Sequence, residues 1–130
     1  MPATFADVAR IAESLPDVTV GERYGNRTWF VRGKGFAWER PFSKADLKRF
    51  GEETPPTGAI LAVAVAGLDA KEAALAANPK WAFTIPHFDG YAAVLIQLEK
   101  VTLRGLTAAL SEAWEASAPQ PTRGGRRGGR

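Results

Sequence analysis

WAFTIPHFDGYAAVLIQL, residues Trp81 to Leu98, carries the strongest structural signal of the chain. Two apolar runs, Trp81 to Ile85 and Ala92 to Leu98, have the length and β-forming content of strands. They are joined across Pro86-His87-Phe88-Asp89-Gly90-Tyr91, a corner with Pro and Gly where the chain must turn and with the only histidine of the sequence. Working backwards, Leu68-Asp69-Ala70-Lys71-Glu72 shows a staple-and-cap pattern that opens a helix closed by Asn78-Pro79. Ile60 to Ala66, with Ile60, Leu61, Val63 and Val65, reads as a strand buried largely on both faces. Forwards, Leu103, Leu106, Leu110 and Ala113 or Trp114 mark a final amphipathic helix.

The N-terminal half completes the pattern. Thr4 to Ser14 reads as a helix, with Phe5, Val8, Ala12 and Leu15 on one face, Thr4 and Asp7 as a capping box and Pro16 as its stop. Val18 to Tyr24, Thr28 to Arg32 and Gly35 to Arg40 are short β-rich runs separated by Gly25-Asn26 and Gly33-Lys34, an antiparallel meander. In the second run Trp29 and Val31 face away from Phe30 and Arg32. Ser43 to Phe50 has the start signals of a short helix: Ser43 caps, Asp46 stands three residues on, and Phe42 is placed to staple onto Leu47. Gly51 ends it, and a polar Glu52-Glu53-Thr54-Pro55-Pro56 loop follows. The order α-β-β-β-α-β-α-β-β-α predicts an α+β fold, a mostly antiparallel sheet with helices on one side.

At 130 residues with 45% hydrophobic content, the chain suits one domain with its own core, over residues 1–118. From Pro119 the composition changes to PQPTRGGRRGGR, which has nothing to bury and is expected to be a disordered tail over 119–130. The absence of cysteine excludes disulfides, thiolate metal sites and a thiol nucleophile. The N-terminus has acidic residues and no signal-peptide core, and the longest apolar stretches are too short to span a bilayer, so a cytoplasmic protein without membrane association is expected. The net charge of +3 is uneven: Met1 to Pro119 holds thirteen Lys and Arg against fourteen Asp and Glu, a balance of −1, and the other four arginines lie in the tail.

Four pieces in this order, over Thr4 to Trp114, are similar to a known family. They are the opening helix with its Leu15-Pro16 stop, the Tyr24-Gly25 step into the meander, the RGKGFAW hairpin at Arg32 to Trp38, and the IPHFDGYAAVLIQL corner and strand. Together they resemble the MmcQ/YjbR family of small bacterial proteins. The resemblance implies a YjbR-like layout related to secretion-chaperone and frataxin-like (CyaY-like) folds. It also implies a DNA-binding role through a double-wing arrangement of strands and hairpins. The helix Ser43 to Phe50 and the acidic loop after it look like an elaboration found in part of the family.

The residues themselves offer three candidate sites. The first is the segment Arg23 to Arg49, where Arg23, Arg27, Arg32, Lys34, Arg40, Lys44, Lys48 and Arg49 stand against Glu39 and Asp46 only. Tyr24, Trp29, Phe30, Phe36 and Trp38 interleave with them, a combination that suits phosphate neutralisation and base stacking, with Lys34 at the tip of a wing. Simple strand alternation, rings inward and bases solvated, would give the same pattern. The second is the tail, where Arg123, Arg126, Arg127 and Arg130 in a glycine matrix suit RNA or single strands, or a solubilising terminus. The third is the corner of His87, Asp89 and Tyr91, an acid/base cluster if the three converge and a hydrogen-bonded turn if they do not.

Other chemistry finds no support in the residues. A metal site would need His87 with Asp89, Glu22 or Glu39, and no metalloenzyme spacing is present. Gly33-Lys34-Gly35 lacks the glycine and Lys-Ser/Thr pattern of a phosphate loop. Ser14, Ser43, Ser111 and Ser117 stand at helix ends or inside helices without the glycines of a nucleophile elbow. No catalytic residue, metal or cofactor is expected. The reading is a non-enzymatic protein with DNA or RNA as partner; the alternative is a protein-interaction or small-ligand module using Trp29, Trp38 or Phe88.

Overall fold

A computed structural model describes residues 2–118; the arginines of the tail lie outside the described residues. Six strands form one antiparallel sheet in the order β1-β2-β3-β4-β6-β5, with β1 Val18–Arg23, β2 Asn26–Val31, β3 Lys34–Glu39, β4 Ile60–Ala64, β5 Ala82–Phe83 and β6 Ala93–Gln97. The helices are α1 Phe5–Ala12, α2 Lys44–Phe50, α3 Leu68–Ala77 and α4 Leu103–Ser117, with a 3-10 turn at Pro86–Phe88. The fold is therefore α+β with the expected element order.

Alternation along the central strands divides the core into two layers. Leu61 and Val63 of β4, with Val94 and Ile96 of β6, face α1 and α4 in a core that also holds Trp29, Val31, Leu106 and Leu110, with Ala74 and Leu75 of α3 packed against it. Ile60 and Ala62, with Ala93 and Leu95, face the other way and are covered by Ile85, Phe88, Phe42 and Phe50. All five residues of β6 are buried, as a strand enclosed on both faces requires. Each fully buried Leu or Ile in these strands contributes about 1.5–3 kcal/mol relative to exposure.

Three of the four helices share one face of the sheet, and α2 is the exception. Phe42 and Phe50 bracket α2, and their rings lie 5.4 Å apart, with Phe83 6.1 Å from Phe42, so α2 lies over the second layer. Phe42 thus turns to Phe50 and Phe83, and Leu47, its expected staple partner, is 46% exposed. Both predicted capping boxes form: Asp7 N–H donates to Thr4 Oγ1 at 3.3 Å and Asp46 N–H to Ser43 Oγ at 3.1 Å, each with the return bond to the carboxylate. For α3 the cap is Gly67, and no side chain caps it.

The meander turns fall one residue earlier than the glycine pairs suggested. Arg23 pairs with Asn26 and Val31 with Lys34, so the two-residue turns are Tyr24-Gly25 and Arg32-Gly33. All four residues have positive φ (52° and 80°, then 50° and 86°), the conformation whose twist matches that of the flanking strands. Glycine relieves only the second position of each, and Tyr24 and Arg32 take the left-handed conformation without it.

Candidate functional site

On the α2 side the apolar layer packed with Phe42, Phe50 and Phe88 draws on β3 to β5 and takes no residue from β1 or β2. At its border is a cavity of about 650 Å³. Thr28 and Trp38, cross-strand partners in β2 and β3, contribute from the sheet. Arg23 and Tyr24 come from the β1–β2 turn, Arg40 and Arg49 from the two sides of the Ser43 cap, and His87, Phe88 and Tyr91 from the corner before β6.

One carboxylate holds the α2 wall in place. Asp46 is 3% exposed, and its Oδ2 accepts from Arg40 Nη1 at 2.9 Å and from the backbone N–H of Ser43 at 2.9 Å; Arg49 Nη1 stands 3.7 Å from Oδ1. Burial alone would raise this carboxyl, but the Ser43 backbone bond and the Arg40 guanidinium overcome it and hold Asp46 below the ordinary carboxylate value. A seven-residue helix is too short to persist unaided. The capping box, the buried ion pair and the two phenylalanines anchor it. Arg40 also donates to Pro41 O at 2.6 Å, and its guanidinium lies 5.5 Å from the Phe88 ring centre.

Rings form the opposite side. Trp38, Phe88 and Tyr91 lie 5.4–6.5 Å apart, with Phe88 and Tyr91 edge to face. Phe88 is buried and Tyr91 is 46% exposed. The corner that carries these two rings is fixed from below by Lys71 of α3, whose Nζ donates to Phe88 O at 2.6 Å and Tyr91 O at 2.8 Å. Burial lowers the Lys71 ammonium from its ordinary value, and nearby Asp89 opposes that shift.

The predicted basic segment divides into groups. Arg23, Arg40 and Arg49 reach the cavity; Lys44 and Lys48 are exposed on α2. Arg27 Nη2 pairs with Glu39 at 2.7 Å, and its guanidinium lies over the Trp29 ring. By alternation from Thr28 that pair belongs to the helix-covered face. Arg32 stands at the far hairpin tip and pairs with Asp17 at 3.0 Å, and Lys34 is the first residue of β3, beyond the tip it was expected to occupy. The two tips stand at opposite ends of the six-residue β2, about 20 Å apart at 3.3 Å per residue. A single basic face over Arg23 to Arg49 is therefore not what the fold builds.

The corner also divides. His87 and Tyr91 line the cavity, whereas Asp89 lies outside it, toward Lys71. Of His87, Asp89 and Tyr91, only His87 and Tyr91 share this concavity, and Asp89 follows the 3-10 turn as its C-terminal cap. Among the described residues no three His, Asp or Glu side chains come together as a metal cage would need, and no helix is long and apolar enough to cross a membrane. Trp29 is fully buried and donates through Nε1 to Glu13 Oε2 at 3.0 Å, so it cannot serve as a contact ring. Sequence reasoning missed Lys71 as the support of the corner and read Asp46 only as a cap. The one available signal was that Asp46 follows Arg40 by six residues.

A second cavity of similar size lies on the helix face between α3 and α4. It is walled by Val63, Trp81 and the alanines Ala70, Ala74, Ala108 and Ala109.

No family model and no solved structure matches the chain. It is 43% identical over 121 residues to the uncharacterized protein Rv2570 of Mycobacterium tuberculosis and, at the same identity, to the uncharacterized protein Mb2600 of Mycobacterium bovis. Each alignment covers 91% of this chain and 91% of the relative.

Proposed function

This chain belongs to one family with those uncharacterized mycobacterial proteins, and we propose that it is a non-enzymatic nucleic-acid-binding protein of MmcQ/YjbR type whose contact surface is the α2-side cavity. The observation that carries the proposal is convergence: Arg23, Arg40 and Arg49, from three elements, meet Trp38, Phe88 and Tyr91 around one opening. Cations beside stacked rings are what a nucleotide asks of a protein, because phosphate seeks guanidinium and a base seeks a ring face. Arg40 is held by Asp46 at 2.9 Å and largely buried, whereas Arg49 reaches the same carboxylate only at 3.7 Å and is half-exposed, and Arg23 makes no ion pair among the described residues, so Arg23 and Arg49 are the two left to meet phosphate. The tail arginines add a sequence-independent electrostatic contribution.

Fluorescence anisotropy of labelled DNA and RNA titrated with the full chain tests this. Replacing Arg23 and Arg49 together by Ala should weaken binding about ten-fold or more and flatten its salt dependence. Replacing Arg32 and Lys34 together, at the far hairpin tip, should change affinity far less. The reverse order of effects would move the contact to the β2–β3 wing and sink the cavity as the binding surface.

A further inference from the structure

The shape of the cavity and the small number of charges around it narrow the partner further, on the premise that the nucleic-acid reading holds. We propose that the cavity accepts one unpaired nucleotide of a single strand, its base against Trp38, Tyr91 and Tyr24 and its phosphate against Arg23 and Arg49, so that the protein prefers single strands and frayed ends to intact duplex.

A duplex is read by convex elements entering a groove of the nucleic acid. Here the rings line a concavity of about 650 Å³, inside the 300–1,000 Å³ range of sites that enclose a small molecule. Only a base already out of its stack can enter it, as in single-strand recognition generally. A duplex binder that makes about 6–10 phosphate contacts needs as many cations, whereas this cavity offers Arg23, which makes no ion pair among the described residues, and Arg49, half-exposed and only 3.7 Å from Asp46, and thirteen bases in Met1 to Pro119 face fourteen acids.

Tyr24 points the same way. Its φ of 52° is a conformation that an L-residue adopts at a cost, and Asn, Asp or Gly would relieve it. The ring is not repaid by burial, since Tyr24 is 95% exposed. A large aromatic held in a strained turn, out in solvent and at the edge of a cavity lined by other rings, fits a contact made with a ligand. Trp38, Phe88 and Tyr91 then supply the fixed platform, with the Lys71 bonds setting where Tyr91 stands.

The test compares four probes of one sequence against the full chain: a labelled single-stranded octamer, its blunt duplex, the duplex with an unpaired overhang, and a mononucleotide as competitor. The octamer and the overhang should bind at least ten-fold tighter than the blunt duplex, with the mononucleotide competing only weakly. Tyr24→Ala and Tyr91→Ala should each lower octamer affinity about five-fold or more, consistent with the loss of one stacking contact. Circular dichroism would verify that both variants remain folded. Equal affinity for blunt duplex overturns the inference while leaving the nucleic-acid reading standing. Competition by the mononucleotide as strong as by the octamer also overturns it, in favour of a free nucleotide. No binding of any probe removes both readings together.

Discussion

Replacing Tyr24 by Asn should make this protein more stable, an uncommon expectation for the loss of an aromatic ring. An L-residue in the left-handed region costs roughly 1–2 kcal/mol, and Tyr24 sits there at φ 52°. Asn is among the few side chains that tolerate this conformation, and Asn followed by Gly is the preferred pair for a two-residue hairpin turn. The ring is 95% exposed, so its removal forfeits almost no burial. The expected gain is about 1 kcal/mol, or about 4 °C in Tm for a domain of this size. Tyr24→Ala is the control, since Ala keeps the φ penalty and loses the ring; its stability should stay within about 0.5 kcal/mol of the parent. Urea unfolding followed by tryptophan fluorescence reads both. A destabilised Tyr24→Asn, or an equal gain in Tyr24→Ala, would refute the claim that strain at this turn is unrepaid in the free protein. A stabilised variant that also binds single strands less well would show stability given up for function.

Two supports of the cavity make further predictions. Asp46→Asn leaves Arg40, which is largely buried, without its counter-charge and weakens the cap, and should cost about 3–5 kcal/mol in thermal unfolding. Because the folded Asp46 carboxyl is held below its ordinary value of 3.8, the unfolded chain binds more protons just beneath that pH. Its contribution is therefore complete above about pH 3.8 and is lost as pH falls toward the folded value, so the gap between parent and Asp46→Asn should narrow on acidification; a gap independent of pH would contradict this. Lys71→Met strands the Phe88 and Tyr91 carbonyls and should cost about 2–3 kcal/mol. Since burial lowers the Lys71 ammonium below 10.5, stability contributed by this group rises with pH from its folded value up to 10.5, and that alkaline rise should be absent in the variant.

Much of the fold was legible because its signals are local. Thr4 with Asp7 and Ser43 with Asp46 are capping boxes in the sequence and in the structure, and the apolar runs of β4 and β6 are buried on both faces as unbroken runs should be. The turn positions shifted by one residue because the glycine of such a turn occupies its second place, so the first falls on Tyr24 or Arg32. Asp69 imitates a cap, yet Gly67 takes that position, and no pattern distinguishes the two until the path from β4 is fixed. The face chosen by α2 was hidden for a similar reason: Phe42 and Phe50 declare that α2 must bury something, but not which layer of the sheet receives it.

The site was legible only in pieces. Arg23, Arg40 and Arg49 belonged to one candidate and His87 and Tyr91 to another, separated by about forty residues of chain. They meet because β3 pairs with β4 and β4 with β6, a non-local fact that composition does not carry. The pairing of β2 with β3 and with β1 in turn drew Arg27 to Glu39 and Arg32 to Asp17, ion pairs that charge counting cannot foresee. Lys71 left no trace in sequence, being one lysine in an alanine-rich helix.

The place where a strand binds is read from the indole N–H resonances of the four tryptophans, Trp29, Trp38, Trp81 and Trp114, in a ¹H–¹⁵N spectrum recorded while a short single strand is added to the full chain. Trp38 lines the proposed site, Trp29 is buried against Glu13, Trp81 borders the α3–α4 cavity, and Trp114 donates to Pro16 O at 2.8 Å. A saturable shift of the Trp38 indole is expected, with the other three unmoved. Movement of Trp81 or Trp114 with Trp38 silent would place the partner on the helix face and contradict binding at the α2-side cavity.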